Sequence, residues 1–488
     1  AARQSLLAAY LAAARAAGAL SNEDSAGDYG EVFLRYRYDQ SPASRFRVTL
    51  LHSRDEILFD DVNLRHDLLG VAMDWQLRYS NNGQIEGLIS HSSEGEAEPP
   101  GSGLYPHQRS WSDRSHRTQI RALLRERIGA TGELRFGVEG AVQSRNLSGN
   151  HPDTRALPSW AALPLAELEV PETVLQGRGA WPEAFLSMAA DLSDLPGPFD
   201  LRLGLRASVL NRSRQPYLSP RFAVQATLPW GTRIQGSAAL QHQQRMSRLV
   251  MDRDLGSTTL LPERALHATV RIEHIFRAGL LVRGEFWLKR YDQLVVWSEP
   301  QTDQASGWSN SGKGQGIGGE ATAALRRGRL DLRAAYAISR STRASDTQLA
   351  SVAAAQDQRH ELDVMASLLL GQTRRWRLSA EYSLASGWPI STLSRTAPKA
   401  DGSFAWSLAG LNDRRMPSQH RIAAQIEGSH SRRSLRLRGM IRLSAAVSGA
   451  GFTEDCPPLP EDDGEPPRCA ALQFLPVVMP WAGLQVDW

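Results

Sequence analysis

Gly314-x-Gly316-x-x-Gly319 is the first pattern in this 488-residue sequence with a spacing that could do chemistry. Glycines so placed can bring a backbone close to a pyrophosphate at a helix N-terminus, as in a dinucleotide loop. That use needs a strand before the motif and a helix after it. Here a Ser/Gly stretch precedes it and the alternating "EATAALRRG" follows, so the reading is a flexible loop entering a strand. The two cysteines, Cys456 and Cys469, lie in "EDCPPLPEDDGEPPRCAA" with no CxxC and no neighbouring His. That pattern points away from zinc and towards a disulfide closing a Pro-rich acidic loop in an oxidising compartment. The loop's six carboxylates lack the regular spacing and turn glycine of a calcium site, and read as solvated. Of the twelve histidines, His360 and His420 sit at the starts of strands and read as rim or inward-facing residues. Trp111, Trp160, Trp308 and Trp406 lie in long polar segments. There they could stack on a sugar or catecholate ligand, or anchor the loops. No GxSxG, HExxH or P-loop occurs, so no catalytic residue, cofactor or metal is expected and the chain does not read as an enzyme.

The elements that would hold these residues are strands. In "ALHATVRIEHIFRAGLLVRGEFWLKRY", Leu266, Ala268, Val270 and Ile272 alternate with His267, Thr269, Arg271 and Glu273. After Arg277-Ala278-Gly279, Leu280, Val282, Phe286 and Leu288 alternate with Arg283, Glu285 and Lys289. Period two places successive side chains on opposite faces of a pleat. The pattern recurs in "FDLRLGLRASVL", "LDLRAAYAISRS", "WRLSAEYSL" and "LRLRGMIRLSA". Short connections are predicted at Ser41-Pro42, Asn81-Asn82-Gly83, Gly129 to Gly132, Asp194 to Pro198 and Trp230-Gly231. Four more follow at Ala278-Gly279, Gly328, Gly371 to Arg374 and Ser431. Gly, Pro and Asn there are turn chemistry.

Between these hairpins lie long polar stretches such as "HSSEGEAEPPGSGLYPHQRSWSDRS". In an up-and-down sheet, short turns then collect at one end and long loops at the other, which is the pattern of a membrane-spanning barrel. Strands of about 9–11 residues suffice to cross a bilayer at a tilt. Nine short turns join eighteen strands; one in "RQSLLAAY" and one in "VVMPWAGLQVDW" bring the total to about twenty. The fold class expected is all-β, a transmembrane antiparallel up-and-down barrel. It would occupy residues 1–488, with 1–27 a first strand and loop, 449–476 the last extracellular loop and 477–488 the terminal strand. Strand-end aromatics Tyr79, Trp230, Trp287, Trp297 and Trp376 are expected in interfacial girdles. Mean hydropathy is −0.36, and no run of about 18 apolar residues offers a spanning helix. The 56 basic and 52 acidic residues are scattered, which argues against a nucleic-acid groove. "AARQSLLAAYLAAARAAGAL" has some marks of a signal peptide, but Arg15 interrupts its apolar stretch.

"YLSPRFAVQATLPWGTRIQGSAALQHQQ" followed by "LLPERALHATVRIEHIF" resembles the mid-barrel of TonB-dependent outer-membrane receptors. "LKRYDQLVV", "AYAISRSTR", "QDQRHELDVMASL", "SGWPIST" and "NDRRMPSQHRI" are similar, in order, to that family's later hairpins. "GLQVDW" resembles its last strand, whose closing aromatic, here Trp488, is read by the barrel-assembly machinery. The family's plug domain and TonB-contacting motif are not recognised in these residues, nor is its first hairpin. The resemblance implies an outer-membrane receptor of a Gram-negative cell that takes up a scarce ligand. That ligand would be a siderophore–iron chelate, cobalamin or an oligosaccharide, bound by the loops and driven by a TonB–ExbB–ExbD complex acting on a plug. A passive porin or a barrel-scaffold enzyme are the alternatives, and sixteen to eighteen strands would favour the porin.

Overall fold

The structure is a computed structural model. It describes residues 2–4, 26–59, 62–98, 111–129, 131–152, 172–192, 199–210, 215–243, 260–277, 279–297, 308–344, 351–371, 375–395, 406–432, 435–448, 451–452, 471–472 and 477–487. Strands dominate them. The chain opens with β1 (Ala2–Gln4), β2 (Ala26–Ser41), β3 (Ser44–Phe59), β4 (Val62–Arg78), β5 (Gly83–Glu98), β6 (Trp111–Ile128) and β7 (Gly132–Pro152). It continues with β8 (Glu172–Leu192), β9 (Phe199–Leu210), β10 (Pro216–Thr227), β11 (Arg233–Gln243), β12 (Glu263–Ile275), β13 (Leu280–Trp297) and β14 (Trp308–Arg327). Then come β15 (Leu330–Ala344), β16 (Val352–Ala353), β17 (His360–Leu370), β18 (Trp376–Ala385), β19 (Pro389–Arg395) and β20 (Trp406–Arg415). The last are β21 (Gln419–Arg432), β22 (Leu435–Ser448), β23 (Gly451–Phe452), β24 (Ala471–Leu472) and β25 (Val477–Asp487).

The chain divides into two compact units. The first comprises Ala1–Ala156, Glu172–Val270 and Lys289–Lys313; the second comprises Leu157–Pro171, Arg271–Leu288 and Gly314–Trp488. In the first, β2 to β11 pair in succession, each antiparallel to the next. In the second, β15 pairs with β17, β17 with β18, β18 with β21, β21 with β22 and β22 with β25. The strands β19 and β20 pair with each other in a separate ribbon.

Eight of the nine short connections read from the sequence mark the junction of consecutive strands, and the ninth, Ser431, is the next-to-last residue of β21, just before the junction with β22. At Gly129, Gly231, Gly279, Gly328 and Gly371 the backbone has positive φ, which only a residue without Cβ adopts freely. Strand length departs from expectation. Against about 9–11 residues, β7 and β8 have 21 each. At about 3.3 Å per residue such a strand runs about 70 Å, so the ladder continues well beyond what a bilayer needs. The extra length comes out of stretches read as loop: "HSSEGEAE" belongs to β5 and "NLSGNHP" to β7. The Gly-x-Gly-x-x-Gly motif is likewise not a loop but lies inside β14. Its glycine-rich neighbourhood lets strands approach: a Cβ on Gly318 would fall 2.5 Å from Trp287 Cζ2 and 2.8 Å from the Ile338 carbonyl oxygen.

The two faces differ as the alternation requires. Leu34, Ile120, Val138 and Leu186 are between 56 and 60% exposed, and so, to lesser degree, are Leu203, Leu205, Leu332, Tyr336 and Ile338. Cross-strand partners put Tyr36, Val48, Met73, Ile89 and Ile120 in one row across β2 to β6. Among the described residues no second layer covers this stripe, and a buried apolar cluster consists of Leu260, Val295 and Trp308. Contiguous exposed apolar area on this scale marks a surface that meets an apolar medium or partner.

Candidate functional site

The face opposite the apolar stripe carries ions. Arg47 stands directly across from Asp74 and donates from Nε to Oδ2 at 2.8 Å. Arg145 donates to Asp113 from Nε at 2.6 Å, and the Asp113 side chain is only 5% exposed. Arg271 to Glu285, 2.7 Å, Arg283 to Glu320, 3.0 Å, and Arg442 to Glu381, 2.6 Å, repeat the arrangement in the second unit. These charges are tolerable because each is paired across the ladder. Arg206 adds a second mode, its guanidinium lying 3.8 Å over the Phe185 ring.

At strand ends away from the short turns, the polar groups gather into two knots. The knot of the first unit is built around Asn310 on β14. Its Nδ2 donates to the carbonyl oxygens of Leu261, 2.9 Å, and Gln293, 2.8 Å, while its Oδ1 accepts from Leu261 N at 2.8 Å. Glu263 Oε1 accepts from Val295 N at 2.9 Å. Gln293 holds φ at 58°, a left-handed conformation that costs a residue with a Cβ about 1–3 kcal/mol. The turn in the strand that it makes seats Val295 against Leu260 and Trp308.

The knot of the second unit is ionic. Asp357, whose side chain is fully covered, accepts from Arg415 Nη2 on Oδ2 and from Ser341 N on Oδ1 at 2.5 Å. Arg415 Nη1 also donates to the carbonyl oxygens of Asp357, 2.6 Å, and Gly387, 3.1 Å. Asn412, with φ of 50°, donates from Nδ2 to the Ala353 carbonyl oxygen at 2.7 Å. Its N–H reaches Ser391 Oγ at 3.0 Å, and the Ser391 hydroxyl donates back to Asn412 Oδ1 at 3.1 Å. Ser386 Oγ accepts from the amides of Arg359, 2.8 Å, and His360, 3.0 Å. Together these bonds tie the β19–β20 ribbon to the connection before β17. The polar groups satisfy one another, so the knots hold loops in place rather than offer reactive atoms.

The residues singled out from sequence are scattered among these features. Trp308 begins β14 and is 8% exposed, packed in the first knot. Trp111 and Trp406 begin β6 and β20 rather than lying in loops. Cys456, Cys469, Trp160 and Trp488 lie outside the described residues. His360 and His420 stand at the ends of the apolar face, bonded through Nδ1 to the hydroxyls of Tyr336, 2.8 Å, and Tyr382, 2.9 Å. Tyr79, Trp230 and Trp376 are exposed at strand ends, as girdle residues would be. Trp287 instead lies against Gly318, on the ionic face. Asp357, Arg415, Asn412, Ser391, Asn310 and Glu263 were not singled out from the sequence. Five of them sit inside the quoted stretches "QDQRHELDVMASL", "SGWPIST", "NDRRMPSQHRI" and "LLPERALHATVRIEHIF", which was the available signal.

No protein-family model matches the sequence, and no curated protein matches it. Solved structures do resemble the fold. The ferripyoverdine receptor of the outer membrane of Pseudomonas aeruginosa superposes with a TM-score of 0.63 at 10% identity, over 88% of this chain and 63% of that one. The outer membrane transporter YddB from Escherichia coli gives 0.62 at 9% identity, over 95% and 69%. A copper transporter, OprC, gives 0.60 at 10% identity, over 95% and 72%. This chain thus spans about two thirds of the length of the proteins it resembles. At such identities the likeness speaks for the fold. The fold class is the all-β, antiparallel up-and-down barrel that these structures share, as the alternation and turn spacing predict.

Proposed function

We propose that this chain is the barrel of an outer-membrane receptor that takes up a scarce ligand. The observation that carries the reading is the contrast between faces. In each unit one face presents exposed apolar side chains, Leu34 and Ile120 in the first and Leu332 in the second, and the other carries Arg–carboxylate pairs. Lipid suits the first and a watery lumen suits the second, since in a bilayer every backbone group must find its partner within the sheet. The short turns then face the periplasm, and the long strand extensions and knots face the outside. That is where a ligand is first met, and the β19–β20 ribbon is held there by Arg415 and Asn412.

Among similarly folded proteins are a receptor bound to ferripyoverdine and a copper transporter, which favours a metal chelate over cobalamin or an oligosaccharide as the ligand class. Drive by the TonB–ExbB–ExbD complex through a plug, and insertion by the barrel-assembly machinery, belong to the same reading and rest on the family resemblance. The test is uptake of radiolabelled ferric siderophores, cobalamin and maltohexaose in the native host, with and without the gene and with and without a protonophore. Loss of energy-dependent uptake of one of them on deletion is expected. Uptake unchanged by deletion, together with protonophore-insensitive conductance of the purified chain in planar bilayers, would replace the receptor by a passive porin.

A further inference from the structure

On the apolar face of the second unit, a groove of about 500 Å³ opens between β13, β14, β15 and β17. Phe286, Ile317 and Ile338 form its walls. It exists because Gly319 contributes no side chain there: a Cβ on it would come within 4.0 Å of Phe286 Cδ2 and 3.3 Å of the Glu285 carbonyl oxygen. The head of the groove is cationic, lined by Arg340, Arg359 and His360. Arg340 follows Tyr336 and Ile338 on the same face, one step past the last apolar residue and away from the short turn before Leu330. Among the described residues Arg340 has no ion-pair partner. Arg359 lies 3.8 Å from Asp357, whose carboxylate is already taken by Arg415. His360 uses Nδ1 for the Tyr336 hydroxyl, which leaves Nε2 for another group.

An apolar trough closed at one end by Arg340, which is unpaired among the described residues, and by Arg359, which has only a 3.8 Å share of a carboxylate held by Arg415, is complementary to an amphiphile with an anionic head. Guanidinium forks favour phosphate oxygens, and basic side chains at the edge of an apolar layer draw anionic headgroups. We infer that this groove holds one phosphate-bearing acyl lipid, its chain between Phe286 and Ile338 and its phosphate on Arg340, Arg359 and His360. The inference rests on the membrane reading of the apolar face. By the position of Arg340, the lipid belongs to the outer leaflet. Glycerophospholipids and phosphorylated glucosamine lipids share this chemistry.

The experiment is native mass spectrometry of the full chain in detergent micelles, offered dioleoylphosphatidylglycerol, diphosphoryl lipid A or dioleoylglycerol. Retention of one phosphate lipid per chain and none of the diglyceride is expected. Arg340→Gln and Arg359→Gln should each lower retention by about fivefold. Gly319→Val, which fills the trough and leaves the charges, should lower it too. Arg333→Gln, on the ionic face of the same strand, should leave it unchanged. Preference for lipid A or for phosphatidylglycerol identifies the source. Equal retention of the diglyceride, or variants that hold phosphate lipid as the wild type does, overturns the inference. Heat-modifiable gel migration checks folding of every variant. If the wild type neither shows that shift nor inserts into vesicles, the membrane reading fails and this inference with it.

Discussion

The two knots do the same task with different chemistry. In the first unit a neutral amide, Asn310, bridges two backbone segments beside an apolar trio of Leu260, Val295 and Trp308. In the second, a fully covered carboxylate, Asp357, meets a guanidinium, Arg415, and the surrounding bonds are all polar. Each contains a residue other than glycine at positive φ, Gln293 in one and Asn412 in the other. A sheet with one face in lipid and one in water has no interior to fix its loops. Local cores must then be made at the strand ends, by packing where apolar residues are at hand and by ion pairing where they are not. The difference lies in how each fails. Cutting the Asn310 bridge loses hydrogen bonds, whereas a buried ion pair cut on one side leaves an uncompensated charge.

Arg415→Ala should therefore have the largest effect, a loss of about 3–5 kcal/mol, seen as rapid hydrogen exchange across the β19–β20 ribbon. Replacing both partners, Asp357→Leu with Arg415→Met, should recover most of it; no recovery would mean the charges themselves specify the ribbon. Trp308→Ala should cost about 3 kcal/mol by cavity formation, with exchange rising at 260–263 and 293–297 while the ribbon stays protected. On the plain sheet, Leu203→Arg should lower stability by about 2–4 kcal/mol in urea unfolding from lipid vesicles. Asn310→Ala, which orphans backbone groups without leaving a charge, should cost about 1–3 kcal/mol. A loss as large as that of Arg415→Ala would erase the distinction between the knots. Arg206→Ala, on the ionic face, should cost about 0.5–1 kcal/mol through the lost contact with the Phe185 ring, and assembly should proceed.

Most of the sheet was legible in the sequence because its signals are local. Alternation in "LDLRAAYAISRS" assigns faces residue by residue, and Gly328 or Gly231 marks a turn by its own backbone freedom. The strand ends were misjudged because polar residues in "NLSGNHP" can continue a ladder once a neighbour supplies partners, and that partner lies far away in sequence. The knots were hidden for the same reason. Arg415 and Asp357 are 58 positions apart, and nothing in either neighbourhood states that one will cover the other. The motif in β14 resembled a nucleotide loop because close approach to a phosphate and, at Gly319, close approach to the Glu285 carbonyl oxygen both favour a missing side chain.

The most direct test of the lipid-facing stripe is nitroxide scanning of β15 from Asp331 to Ser339 in vesicle-embedded protein, with oxygen and a nickel chelate as relaxants. Oxygen accessibility should peak at Leu332, Tyr336 and Ile338, and nickel accessibility at Asp331, Arg333 and Ser339, with period two. Accessibilities that do not alternate, or that put nickel at Leu332 and Ile338, would contradict a sheet with lipid on one side and water on the other.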